Sequence, residues 1–144
     1  MSQADIKDMA RVVFGEARGE CRKGQLAVAY TVVNRKNHSG FPSTIHDVVY
    51  QRDRNGCHQY ETLDRHDHHK AWNDAEQHNT EEYQRAISAA TDALGQLRED
   101  PTDGATNYAA TDPNPATSSN QYYAATGKQK IGNHYFVRMT PKNN

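Results

Sequence analysis

Apolar residues recur at helical spacing in four stretches of this chain and alternate with polar ones in a fifth, near the C-terminus. Ile6, Met9, Ala10, Val13 and Ala17 follow i, i+3, i+4, i+7, i+11 spacing, which places them on one face of a helix. Ser2 stands as its N-cap and Asp5 in its acidic first turn. At about 100° per residue, Glu16 falls at the rim of the apolar stripe, where a carboxylate is half desolvated. Leu26, Ala29, Tyr30 and Val33 predict a second helix from about Lys23 to Asn34. Phe41-Pro42-Ser43-Thr44 reads as a turn and N-cap opening a short helix through Ile45, Val48 and Val49. From Gln51 to Asn79 periodicity disappears, and a loop that long is functional or disordered. Order returns at Asn79-Thr80-Glu81-Glu82, a capping signal for the strongest helix, with Tyr83, Ala86, Ile87, Ala90 and Leu94 before Gly95. Beyond Asp100-Pro101 the residues turn to Gly, Thr, Asn and Tyr, and Ile131, Tyr135, Val137 and Met139 alternate as in a small β-hairpin or meander. The fold class is therefore α+β: a mainly helical body with a small antiparallel β portion in the C-terminal half.

Composition narrows the partners. The 144 residues suit one domain, spanning 1–144, and a chain of this size buries roughly 68 to 70% of its unfolded surface. Hydrophobic residues make up 35% and the mean hydropathy is -1.04, so the core is small and the loops are polar. That modest apolar content favours a monomer. A net charge of -1 with scattered Lys and Arg leaves no basic stripe for phosphates, so no nucleic acid is expected. No stretch approaches the ~18 apolar residues of a membrane span, and the N-terminus lacks the basic and apolar regions of a signal peptide. The chain is expected to be made in the cytoplasm. Cys21 and Cys57 are too few for a disulfide framework and suggest free thiols or at most one bridge.

Candidate chemistry concentrates in Phe14-Gly15-Glu16-Ala17-Arg18-Gly19-Glu20, which sets two carboxylates four residues apart between glycines. An interior glycine costs a helix roughly 1 kcal/mol, so Gly15 and Gly19 are expected to clear bulk for a large substrate. Cleaving a glycosidic bond needs a proton delivered to the leaving oxygen, which a carboxylic acid with a raised pKa provides. Solvated carboxylates paired to Arg18 or Arg22 are the plainer alternative. A rival site is the histidine-rich run His66-Asp67-His68-His69 with Cys57 and His58, which offers zinc ligands for an amidase or peptidase, although its spacing matches no standard zinc motif. A Cys57/His134 thiol peptidase and a non-catalytic wall-binding or virion protein are further options.

The company of the glutamate motif adds to this. Gly24-Gln25-Leu26-Ala27-Val28-Ala29, Val33-Asn34-Arg35, Phe41-Pro42, Val48-Val49-Tyr50-Gln51, Gln59-Tyr60, Asp100-Pro101-Thr102, Gly104-Ala105-Thr106, Tyr108 and Ile131-Gly132-Asn133-His134-Tyr135-Phe136 follow it in order. With them the chain resembles the cell wall hydrolase family of the spore cortex-lytic enzyme type over nearly its whole length. The resemblance implies a lysozyme-like fold and cleavage of peptidoglycan between N-acetylmuramic acid and N-acetylglucosamine, by a muramidase or a lytic transglycosylase, without a cofactor or metal. The partner is the peptidoglycan glycan strand and the setting a phage endolysin or a bacterial wall hydrolase. It makes Glu16 the catalytic acid, then base, and places Gln59, Tyr60, Tyr108, Asn133 and His134 at the substrate. Glu20 is read as the structural partner of the pair, and Asp53, Glu61 and Asp64 remain possible second carboxylates. Asn107 and Ala109 stand where relatives often carry histidines, and Tyr122-Tyr123 where a Trp-Ala pair is common.

Overall fold

The computed structural model describes residues 2–110 and 123–141, with side chains described through 110 and from 128 to 138. Five α-helices precede a three-stranded antiparallel sheet: α1 (Gln3–Ala17), α2 (Arg22–Lys36), α3 (Ile45–Val49), α4 (His66–His78), α5 (Glu81–Leu94), β1 (Asn107–Ala109), β2 (Tyr123–Ile131) and β3 (His134–Pro141). The helical body followed by a small antiparallel sheet is the architecture that the hydrophobic pattern predicts. No helix among the described residues is long and apolar enough to cross a membrane.

α1 is built as its pattern requires: Ser2 Oγ accepts from Asp5 N at 3.0 Å, and Ile6, Met9, Ala10, Val13 and Ala17 are all buried. It packs on α5, whose inward face is Ala86, Ala89, Ala90 and Ala93, residues small enough to let two helices approach closely. α2 departs from its one-faced reading. It is buried nearly all round, including Gln25, Thr31 and Arg35. Such polar groups are tolerated inside only when paired. Thr31 Oγ1 donates to Val28 O and shares a hydrogen bond with Tyr60 Oη, while Gln25 Nε2 donates to the last carbonyls of α1, Ala17 O and Arg18 O.

The interval 51–79 is not a loop. It holds a tight 52–58 turn, a 3₁₀ turn at Glu61–Asp64 and the thirteen-residue α4. α4 escapes a periodicity reading because it buries only Trp72 and Ala75, so its apolar stripe is two residues wide. Trp72 packs edge-on to Phe14 of α1 and against Tyr83 of α5, at ring-centroid distances of 5.5 and 5.2 Å. Asn79 then closes α4 in the left-handed region at φ 49, and Thr80 caps α5 through Tyr83 N.

In the sheet β3 is central, with Tyr108 opposite Phe136 in β1 and Ile131 opposite His134 in β2. Between Thr126 and Gln129 three steps of β2 match two of β3, a bulge that bends the hairpin. The alternation is shifted from its sequence reading: Phe136 is fully buried and Val137 nearly so, whereas Tyr135 is half-buried and its ring receives the Lys130 ammonium at 5.6 Å. The side chain of Met139 and residues Tyr122 and 142–144 lie outside the described residues.

Candidate active site

Glu16 is the penultimate residue of α1, and its side chain forms part of a cleft of about 310 Å³ between the helical body and the sheet. Tyr108, on β1, donates its hydroxyl hydrogen to Glu16 Oε1 at 2.9 Å. Burial raises the pKa of Glu16, the hydrogen bond from Tyr108 opposes that shift, and the negative charge of Glu61 adds to it. The Tyr108 hydroxyl is itself pushed well above the ordinary phenol range, first by burial and then by the charge of Glu16, so it stays a donor. Among the described residues one carboxyl oxygen is thus hydrogen-bonded and the other is not, in a site that favours the neutral form.

Tyr108 is placed by the loop before it. Asp100 accepts from Thr102 N and Oγ1 through Oδ1 and from Gly104 N and Asn34 Nδ2 through Oδ2, folding 100–104 onto the end of α2. Gly104 sits at φ +91, in the region glycine favours. Asn34 Nδ2 also donates to Ala105 O, and Arg35 Nε donates to Thr106 O at 2.6 Å. The last turn of α2 therefore fixes the strand that carries Tyr108. Asn107, at one of the departures from the family pattern, accepts from Thr106 Oγ1, and Ala109 at the other lines the cleft.

The other residues singled out by sequence divide. Gln59 is exposed on the cleft wall. Tyr60 lines the cleft with its ring but is 1% exposed, and its hydroxyl is engaged with Thr31 in the core. His134 lines the cleft with its ring edge-on to Tyr108 at 5.1 Å. Asn133 is turned elsewhere: its N and Nδ2 donate to Glu20 at 3.3 and 3.4 Å, and it is not among the lining residues. Glu20 Oε1 is also 3.3 Å from His134 Nδ1, an ion-pair contact too oblique for a hydrogen bond. Glu20 is thus the structural member of the carboxylate pair, a clasp between the end of α1 and the β2–β3 turn.

Two features escaped the sequence. Arg35 lines the cleft while only 4% exposed, its guanidinium 4.7 Å from the Tyr60 ring centre and 5.1 Å from that of Phe41, with Nη1 bonded to nothing among the described residues. Its sequence signal was its place in Val33-Asn34-Arg35, a motif that assigned it no role. The other is the use of Gly15. A Cβ there would stand 1.7 Å from Thr62 Oγ1, so the glycine admits the 3₁₀ turn and not a substrate. Gly19, with nothing within 4 Å of an added Cβ, is the open one.

The histidine-rich run is dispersed. His58 Nδ1 meets Asp64 at 2.7 Å, His68 Nδ1 meets Thr62 Oγ1 at 2.9 Å and His69 Nδ1 meets Arg11 at 2.8 Å. Among the described residues no three His, Cys, Asp or Glu side chains are gathered as a metal site. Cys21 and Cys57 are free and exposed; Cys57 N donates to Asp53.

A carboxylic acid in a cleft between a helical body and a small sheet is the arrangement of lysozyme-like enzymes, and comparison with known proteins agrees. The family described as Cell Wall Hydrolase matches residues 19–137. The chain belongs to the cell wall hydrolase family. The matched range opens after Glu16, so that residue stands on the geometry of the cleft. Among solved structures, the catalytic domain of the germination-specific lytic transglycosylase SleB from Bacillus anthracis is similar at 29% identity and TM-score 0.58, covering 96% of this chain and 97% of that one. The SleB catalytic domain of Bacillus cereus is similar at 29% identity and TM-score 0.59, covering 95% and 91%. The fold is lysozyme-like. Spore cortex-lytic enzymes of Oceanobacillus iheyensis and Bacillus subtilis are 50% and 42% identical over 50 residues, 35% of this chain. Those matches span only 18% and 16% of the two longer proteins.

Proposed function

We propose that this chain is a single-domain, monomeric glycosidase of the bacterial cell wall, cutting the peptidoglycan glycan strand between N-acetylmuramic acid and N-acetylglucosamine. The observation that carries the reading is Glu16: a carboxyl whose pKa burial raises, hydrogen-bonded by Tyr108, in the cleft of a cell wall hydrolase. Because Tyr108 occupies Oε1, the proton of the neutral acid sits on Oε2. From there it passes to the glycosidic oxygen as the bond to the muramic anomeric carbon breaks. The sugar acquires oxocarbenium character, and Glu16, now a carboxylate, accepts a proton from the attacking hydroxyl. If that hydroxyl is the muramic 6-OH the product is a 1,6-anhydro end, and if it is water the product is a reducing end. Gln59 and His134 form walls against which a sugar packs, with the buried ring of Tyr60 behind them. Asn133 acts on them indirectly, through Glu20 and the β2–β3 turn.

Glu16→Gln tests this. General acid–base groups contribute about 10²- to 10⁴-fold, so release of soluble muropeptides from purified peptidoglycan should fall by at least about 10²-fold. Mass spectrometry of the wild-type products should show cut glycan, with muramic ends either anhydro or reducing. Cut stem peptides with intact glycan, or full activity in the Gln variant, would overturn the assignment.

A further inference from the structure

Among the described residues Arg35 is the one buried residue that carries a charge, and its guanidinium is poorly provided for. A guanidinium has five N–H donors. The one on Nε is met by Thr106 O at 2.6 Å, whereas both on Nη1 are buried without an acceptor. No carboxylate pairs with it among the described residues. Its closest company is the faces of Tyr60 and Phe41, which attract a cation but do not fill its hydrogen-bonding capacity. A buried charge without its full set of partners costs folding free energy, and departures of that kind are expected where function needs them.

The place of Arg35 is that of a binding group. It lines the same cleft as Glu16. Burial and then the charge of Glu16 push the Tyr108 hydroxyl up, and the charge of Arg35 pulls it down, so acid and cation act on one phenol. The bond to Thr106 O and the two rings fix the guanidinium before any substrate arrives, which lowers the cost of binding through it. What the group lacks is an acceptor, and a glycan strand of N-acetylated sugars brings one on every residue, the carbonyl oxygen of the acetamido group. A sugar hydroxyl is a poorer match, because it carries a hydrogen that needs an acceptor of its own. The acetamido methyl also suits the apolar side chains of Ala109 and Ala110 in the same lining.

We infer that the guanidinium of Arg35 donates to the N-acetyl carbonyl of a sugar bound in this cleft and so makes the enzyme select N-acetylated over de-N-acetylated glycan. This rests on the glycosidase reading and leaves Glu16 as acid and then base. Arg35 binds and orients the strand and takes no part in the proton transfers. A site built to hydrogen-bond one substrate group discriminates against the analogue that lacks it, because the donor is then left buried and unmet.

The test compares wild type and Arg35→Met on purified peptidoglycan, fully N-acetylated and enzymatically de-N-acetylated, read as release of soluble muropeptides. Wild type should prefer the N-acetylated polymer by at least about 10-fold, the scale of a hydrogen bond from a charged donor. R35M should lose most of that preference. Loss of the bond to Thr106 O could displace the strand that carries Tyr108, but that would slow both polymers alike, so the ratio and not the rate is the readout. A second measurement needs no change at Arg35. In Glu16→Gln, which holds glycan without cutting it, the guanidinium NMR signals of Arg35 should shift on adding an N-acetylated peptidoglycan tetrasaccharide and stay in place with its de-N-acetylated form. Equal cutting of the two polymers by wild type, an undiminished preference in R35M, or guanidinium signals that respond equally to both sugars would overturn the role of Arg35 and leave Glu16 standing. Peptidoglycan whose glycan stays uncut by wild type would overturn the glycosidase reading itself.

Discussion

In the role proposed for Glu16, stability and activity pull in opposite directions. The residue lies in the last turn of α1, where the helix dipole disfavours negative charge, and burial disfavours it further. The folded protein therefore holds the neutral acid more tightly than the unfolded chain does. Its penalty is absent below the ordinary carboxylate range, grows as pH rises through it, and is complete above the raised folded pKa. Glu16→Gln is expected to raise the melting temperature at pH 8 and to leave it unchanged at pH 3, measured by thermal unfolding at both. Tyr108→Phe acts in the other direction on the same group. It removes the hydrogen bond that opposes the raised pKa, so the alkaline limb of the pH–rate profile should move to higher pH. A hydrogen bond to a charged group is worth about 1.5–3 kcal/mol, so the rate should also fall about 10- to 100-fold as the carboxyl loses its orientation.

Gly15 and Gly19 each precede a glutamate in sequence and differ at the level of elements. Gly15→Ala drives a methyl into Thr62 and pushes the 3₁₀ turn off α1, and overpacking of this kind costs about 1–3 kcal/mol. Gly19→Ala meets nothing and removes backbone freedom from the unfolded chain, which stabilises by about 0.4–1 kcal/mol. Denaturant titration of the two variants should give shifts of opposite sign. That contrast also marks how far the sequence could be read. α1, α3 and α5 were legible because each shows its cap and an apolar stripe, and Thr44 and Thr80 cap where predicted, through Asp47 N and Tyr83 N. α4 was not, because a helix that buries two side chains leaves little periodicity. Glu16 and Tyr108 were legible through motifs, and the structure joins them across 92 residues. The roles of Arg35, which stood in a motif, and of Thr62, which did not, were hidden, since a buried polar residue is identified by its partners, which are distant in sequence.

Across the whole molecule, the cleft exists because the sheet is held against the helices, and Glu20 is one of the ties. Its side chain is only 10% exposed and meets Asn133 N, Asn133 Nδ2 and His134 Nδ1. Gly132 makes the approach possible, with φ +59 and a Cβ position 2.6 Å from Glu20 Oε2. Asn133 closes the β2–β3 turn and His134 begins β3, in which Phe136 packs against Tyr108 at 5.5 Å. A shift of the β2–β3 turn is therefore transmitted to the hydroxyl that orients Glu16. Glu20→Ala should destabilise the fold by about 0.5–1.5 kcal/mol, the net worth of a typical hydrogen bond, because the Asn133 donors it leaves are exposed to water. It should also lower kcat, although Glu20 does not line the cleft. Glu20→Gln, which keeps an acceptor for Asn133, should recover most of the activity. Equal loss in the two variants would show that the charge itself is required, and wild-type behaviour in both would show that the sheet is held without this clasp.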